Sequence, residues 1–197
     1  MKTKLFLTVL AAVALTIFGN QQSFAQNAKM AGNQTDLQFL DMMLMHHADG
    51  VKMSQMGIDK AQNADVKALA EKMNAGQQKD IGEMEKMREE HFSGQPKAEM
   101  MMVKGRKMTT EMMSKMAEED MQKLENASGA EFDRVFLDVF MKHHQMAIEM
   151  SKEETGKGKD AEIKKKAREI SMVQTKELGE MKRLKTKVAS GKTMSGR

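Results

Sequence analysis

Residues 36 to 54, DLQFLDMMLMHHADGVKMS, return at 133 to 151 as DRVFLDVFMKHHQMAIEMS, with adjacent histidines in the same register of each copy. The offset of 97 residues persists without a gap from Ala64–Met87 onto Ala161–Leu184, matching Lys67 with Lys164, Ala70 with Ala167, Gln77 with Gln174, Gly82 with Gly179 and Met84 with Met181. The chain is therefore two copies of one helix pair. Such a pair has one apolar face and must bury it against a second layer, which the other copy supplies. Four of the five histidines fall in the repeated element, so whatever the His-His pair does was built twice.

The apolar spacing predicts a first helix over about Asp36–Gly57, opened by a capping box at Thr35 and Gln38, and a second over about Ala64–Glu90. Residues His91–Pro96 (HFSGQP) break the pattern, and Lys97–Asn126 reads as a helix-prone, poorly amphipathic connector. Ser128 and Glu131 form the next capping box, ahead of a helix over Glu131–Thr155, a GKGK turn at 156–159 and a last helix over Ala161–Ala189. Nothing reads as a strand. The expected fold class is all-α: a ferritin-like four-helix bundle of two duplicated helix pairs, coupled in parallel about a pseudo-twofold axis and joined by a long Met-rich crossover. The bundle takes residues 35–190, divided into repeat one (36–90), connector (91–127) and repeat two (128–189).

Ahead of it, Lys2, Lys4 and an apolar run from Leu5 to Phe18, closed by Ala25, have the form of a secretory signal peptide over residues 1–25. A flexible lead follows at 26–34, and a frayed tail is expected at 191–197. No later stretch approaches the roughly 20 apolar residues of a membrane span, so the mature chain is expected to be periplasmic or secreted. Without the leader, basic residues exceed acidic ones by two, and the chain lacks Trp and Tyr. That is no nucleic-acid signature. With no cysteine there are no disulfides and no lipid-anchored maturation.

Methionine is the compositional anomaly, at 24 residues. A thioether fills core gaps, but it is also a soft ligand suited to Cu(I) and similar ions. On a helical wheel Phe39, Met43, His46, His47, Gly50, Met53 and Ser54 share one face, as do Phe136, Phe140, His143, His144, Ala147, Met150 and Ser151. Neighbours three, four or seven positions away are mostly sulfur: Met42, Met43 and Met53 around the first pair, Met146 and Met150 around the second. Imidazole with thioether suits Cu(I) or Ag(I), and imidazole alone also accepts Cu(II) and Zn. The expected metal residues are thus His46, His47, Met42, Met43, Met53, His143, His144, Met146 and Met150. Gln77, Asp80, Gln174 and Glu177 fall on the apolar faces of the second helices, where they would orient the ring nitrogens. Met73, Met84, Met87, Met172 and Met181 are expected to pack. Met100–Met102, Met112, Met113 and Met116 exceed what a core absorbs. Isolated His91 is expected to be solvated, and the KKKAR run at 164–168 to form an exposed face.

No catalytic residues are expected. Dinuclear iron oxidases of this outline use Glu-x-x-His, but the residues three before the four histidines are Met43, Leu44, Phe140 and Met141. No Ser-His-Asp, phosphate-loop or His-Glu-x-x-His pattern is present.

The repeated FLDxxxxxHHxxxxxMS, the Gln-x-x-Asp/Glu of each second helix and SGAEFDRVFLDVFMKHHQMAIEMS at 128–151 resemble the family catalogued as domain of unknown function 305. That family includes periplasmic CopM-type copper-binding proteins, and the resemblance covers nearly the whole mature chain. It implies a ferritin-like bundle that binds Cu(I), with Cu(II) and Ag(I) as alternatives, in copper resistance. It places the family's His-His positions at His46, His47, His143 and His144, with Met53 and Met150 beyond them. Gly50 against Ala147, and Asp49 against Met146, are departures that imply unequal affinity in the two copies. The expected function is sequestration of Cu(I) or its transfer to another copper-transport protein. The competing readings are a metal-independent helical stress or chaperone-like protein and a ferritin-like metal oxidase.

Overall fold

The computed structural model describes the backbone of residues 9–189 and the side chains of residues 34–189. The charged start of the expected signal peptide and the tail at 191–197 lie outside the described residues. The elements are α1 (Val9–Lys60), α2 (Ala64–Phe92), β1 (Met100–Val103), β2 (Arg106–Thr109), α3 (Thr110–Asn126), α4 (Gly129–Lys157) and α5 (Ala161–Ala189). The fold is all-α, with one small hairpin in the connector.

Each repeat is an antiparallel hairpin of helices. In the first, Asp41 pairs with Arg88 at 2.8 Å and Asn74 Nδ2 donates to the Val51 carbonyl at 3.1 Å. In the second, Asp138 pairs with Lys185, the positions equivalent to Asp41 and Arg88. Asn63 caps α2 by accepting from the Asp65 and Val66 amides, which satisfies donors that a helix start leaves orphaned.

The two hairpins meet through α1 and α4, which run antiparallel rather than in the parallel coupling expected. Two equivalent aspartates fix this. Asp133, at the start of α4, accepts from the amides of Gln62 and Asn63 at 3.0 and 2.9 Å, in the turn after α1. Asp36 on α1 accepts from the amides of Lys159 and Asp160, both at 3.0 Å, in the turn after α4. Each copy thus caps the other copy's turn. Between these ends Phe39, Leu40, Phe132, Phe136, Leu137 and Phe140 are fully buried. Burial of side chains this size stabilises by about 1.5–3 kcal/mol each, so this seam is the main source of cohesion between the repeats.

Several local expectations are corrected. α1 is continuous through Thr35, because residues 21–31 contain no proline to stop a helix begun earlier. Ser128 precedes α4 but makes no side-chain cap bond, and Glu131 pairs with Arg134 rather than reaching back to it. The connector contains two antiparallel strands, paired Met101 to Met108 and Val103 to Arg106. They are joined by Lys104 and Gly105, both with positive φ, the two-residue turn that matches strand twist. Met101 and Val103 bury the inner face of this hairpin. His91 is half-buried rather than solvated, with Nδ1 3.1 Å from Asp160 and Nε2 3.5 Å from Glu162. Lys166, expected on an exposed face, is only 4% exposed and pairs with Asp80 and Glu83.

Candidate metal centre

The duplication brings its histidines to the line where α1 crosses α4. His46 and His143, equivalent positions in the two copies, stack with ring centroids 3.7 Å apart and an interplanar angle of 24°. His143 Nε2 donates to the backbone carbonyl of His46 at 3.1 Å. The approach is this close because α1 carries Gly50 at the crossing. A Cβ there would lie 2.6 Å from His143 Cε1 and 2.8 Å from Gln77 Cδ, closer than packed carbons allow.

His47 and His144 turn the other way, towards the second helix of their own repeat. His47 Nε2 lies 3.3 Å from Asp80 Oδ2, and His144 Nε2 lies 2.9 Å from Glu177 Oε2. Each carboxylate is in turn met by a lysine from the opposite repeat, Lys166 on Asp80 and Lys72 on Glu177 at 3.7 Å. Of the four polar residues expected beside the rings, Asp80 and Glu177 are the two that contact a ring nitrogen. Gln77 lies against the Gly50 crossing with both amide atoms unpartnered, and Gln174 leaves its Oε1 unpartnered.

These contacts decide which nitrogens are free. A carbonyl or an ionised carboxylate accepts, so Nε2 carries the proton on His47, His143 and His144, and Nδ1 keeps its lone pair. All three Nδ1 atoms are buried without a partner, as are both ring nitrogens of His46. Orphaned buried acceptors at this density are rare in folded proteins and call for an explanation.

The electrostatics keep His46, His143 and His144 neutral. Burial, then the neighbouring imidazoles of His143, His47 and His144, hold His46 well below its ordinary 6.5. Burial, then His144 and His47, does the same for His143. Burial also lowers His144, against the opposing pull of Glu177. Burial opposes ionisation of Asp80, but hydrogen bonds from His47 and Lys166 and the lysine's charge outweigh it, so its carboxyl sits below the usual range. Neutral imidazole is the form that ligates metal.

His46 and His143 open onto a cleft of about 160 Å³ between α1, α3 and α4. Met53 and Met146 line it, with Met113 and Met116 of α3, and Asp49, Glu119 and Asp120 sit around it with Lys123 and Lys142. Of the residues expected at the metal, His46, His143, Met53 and Met146 are brought together here. Met42, Met43 and Met150 are placed in the apolar packing around Phe39 and Ile163, away from the cleft lining. Among the described residues no three His, Asp or Glu side chains converge on one point. A metal at this cleft would therefore draw on thioether sulfur beside imidazole, a donor set that fits a soft ion. Of the methionines expected to be surplus to a core, Met113 is buried in it and Met116 is 40% exposed, and both reach the cleft through the docking of α3, a contact between distant segments.

The fold and site define a duplicated, all-helical protein with histidine at the repeat seam and methionine around it. The chain belongs to the family described as Domain of unknown function (DUF305), whose model matches residues 36–185. None of the curated proteins matches it in sequence. A solved structure of CopM in the Cu(II)-bound form is 30% identical, with a TM-score of 0.64, over 77% of this chain and 95% of its own. CopM in the Cu(I)-bound form is 27% identical, TM-score 0.60, over 76% and 94%. A DUF305 fragment from Deinococcus radiodurans is 24% identical, TM-score 0.66, over 78% and 97%, and carries the fold alone.

Proposed function

We propose that this protein is an exported copper-binding protein that takes up Cu(I) at the cleft and sequesters it or passes it to another copper-transport protein. One observation carries the reading: the two repeat-related imidazoles His46 and His143 keep buried, unpartnered nitrogens on neutral rings beside a cleft that four methionines help to line. The likeness to CopM, solved with Cu(II), Cu(I) and Ag, supports the same class of cargo. Thioether donors favour Cu(I) over Cu(II), with Ag(I) as its closest mimic.

Binding rather than catalysis is the proposed activity. Export rests on the leader-like residues 1–25. No described helix is long and apolar enough to cross a membrane. The test is competition of the mature protein with a chromogenic Cu(I) chelator. Withdrawal of Cu(I) from the chelator is expected, and failure to compete at any protein excess overturns the proposal.

A further inference from the structure

The connector helix α3 has no counterpart in the duplication, yet it lies across α1 and α4 where the two copies meet. It is pinned at both ends. Thr109 caps its start by accepting from the Met112 amide at 3.2 Å. Near its end Lys60 Nζ donates to the carbonyls of Leu124 at 2.7 Å and Glu125 at 2.9 Å. Met113 and Met116, three residues apart and so on one face of α3, thereby line the same cleft as His46 and His143.

We propose that Met113 and Met116 are Cu(I) ligands, so that α3 converts the symmetric histidine pair into a single soft-metal site. The inference rests on the copper reading above and adds where the sulfur comes from and how many such sites there are. Packing accounts for the burial of Met113, but Met116 is 40% exposed and still lines the cleft. An exposed thioether beside an acceptor-rich histidine pair has no packing role to perform. Because His46 and His143 share one cleft, and His47 and His144 face Asp80 and Glu177 instead, two His-His pairs yield one port.

The test compares the mature protein with Met113→Leu/Met116→Leu, a volume-conserving change, and with a control, Met112→Leu/Met172→Leu. The control methionines are 48% and 68% exposed and do not line the cleft. Cu(I) affinity by chelator competition is expected to weaken by about tenfold or more in the first variant and to stay at the wild-type value in the control, judged against the usual cost of losing groups around a metal. X-ray absorption of the wild-type protein loaded with one equivalent of Cu(I) is expected to show sulfur beside nitrogen, with less sulfur in the cleft variant. Unchanged Cu(I) affinity in the cleft variant overturns the proposal, as does a wild-type spectrum with only nitrogen or oxygen neighbours. Should the double variant fail to fold by circular dichroism, the single changes Met113→Leu and Met116→Leu replace it, and wild-type Cu(I) affinity in both overturns the proposal. A wild-type protein that ignores Cu(I) overturns the copper reading itself, so the two failures are distinguishable.

Discussion

Replacing Gly50 by alanine strikes the point where the two repeats touch. The added methyl would sit 2.6 Å from His143 Cε1 and 2.8 Å from Gln77 Cδ, so something must move. Gln77 makes no hydrogen bond and can yield, but His143 is held by its stack on His46 and its bond to the His46 carbonyl. Overpacking of this kind costs about 1–3 kcal/mol, while the better helix propensity of alanine offsets about 1 kcal/mol. The net expectation is a loss of about 1 kcal/mol, which lowers the melting temperature of a chain this size by about 2–4 °C. Gly76→Ala is the matched control, because that exposed α2 position has nothing within 4 Å of the new methyl. It should gain up to about 1 kcal/mol. Urea denaturation of the metal-free proteins reads the difference, about 2 kcal/mol in total. Equal shifts for both variants would refute the claim that α1 and α4 meet in hard contact at the histidines.

Glu154 is a buried carboxyl pushed up to about 9 by burial first and then by the neighbouring Asp36 carboxyl. The folded protein therefore holds a proton that the unfolded chain releases near 4.5. This term stabilises fully below that value and is lost as pH rises towards 9, at up to about 1.4 kcal/mol per pH unit. Glu154→Gln should flatten the slope of stability against pH between 5 and 9, and identical slopes would reject the assignment. Lys166→Met should destabilise by about 1–3 kcal/mol by leaving Asp80 short of a partner, whereas exposed Lys165→Met should stay within about 0.5 kcal/mol; denaturation of both variants checks this. Because burial keeps His46, His143 and His144 neutral, Cu(I) affinity should hold as pH falls through 6.5 and decline only at more acidic values. A half-point at the free-imidazole value would contradict that.

The repeat made most of this fold legible, because a side chain conserved in position across 97 residues marks a shared environment. The equivalent pairs His47–Asp80 and His144–Glu177 follow from the periodicity of each helix pair, and so do the helix ends to within a few residues, except the start of α1. What periodicity within one helix cannot supply is the direction in which the pairs meet. That is set by Asp36 and Asp133 capping each other's turns, a contact between distant segments. For the same reason His46 and His47 looked alike in sequence yet face different partners. Lys166 read as surface because a lysine run normally is; only Asp80 and Glu83 on the facing helix explain its burial. The hairpin is not legible in the sequence because four-residue strands are too short for an alternation signal, and the Lys104-Gly105 turn is its one local clue.

The most direct test of the central claim is a crystal of the mature protein loaded with Cu(I), with diffraction measured on both sides of the copper absorption edge. The account predicts one strong anomalous peak in the cleft, within bonding distance of a ring nitrogen of His46 or His143 and of methionine sulfur. Copper found only elsewhere on the chain, with the His46–His143 stack unchanged and unliganded, would contradict it.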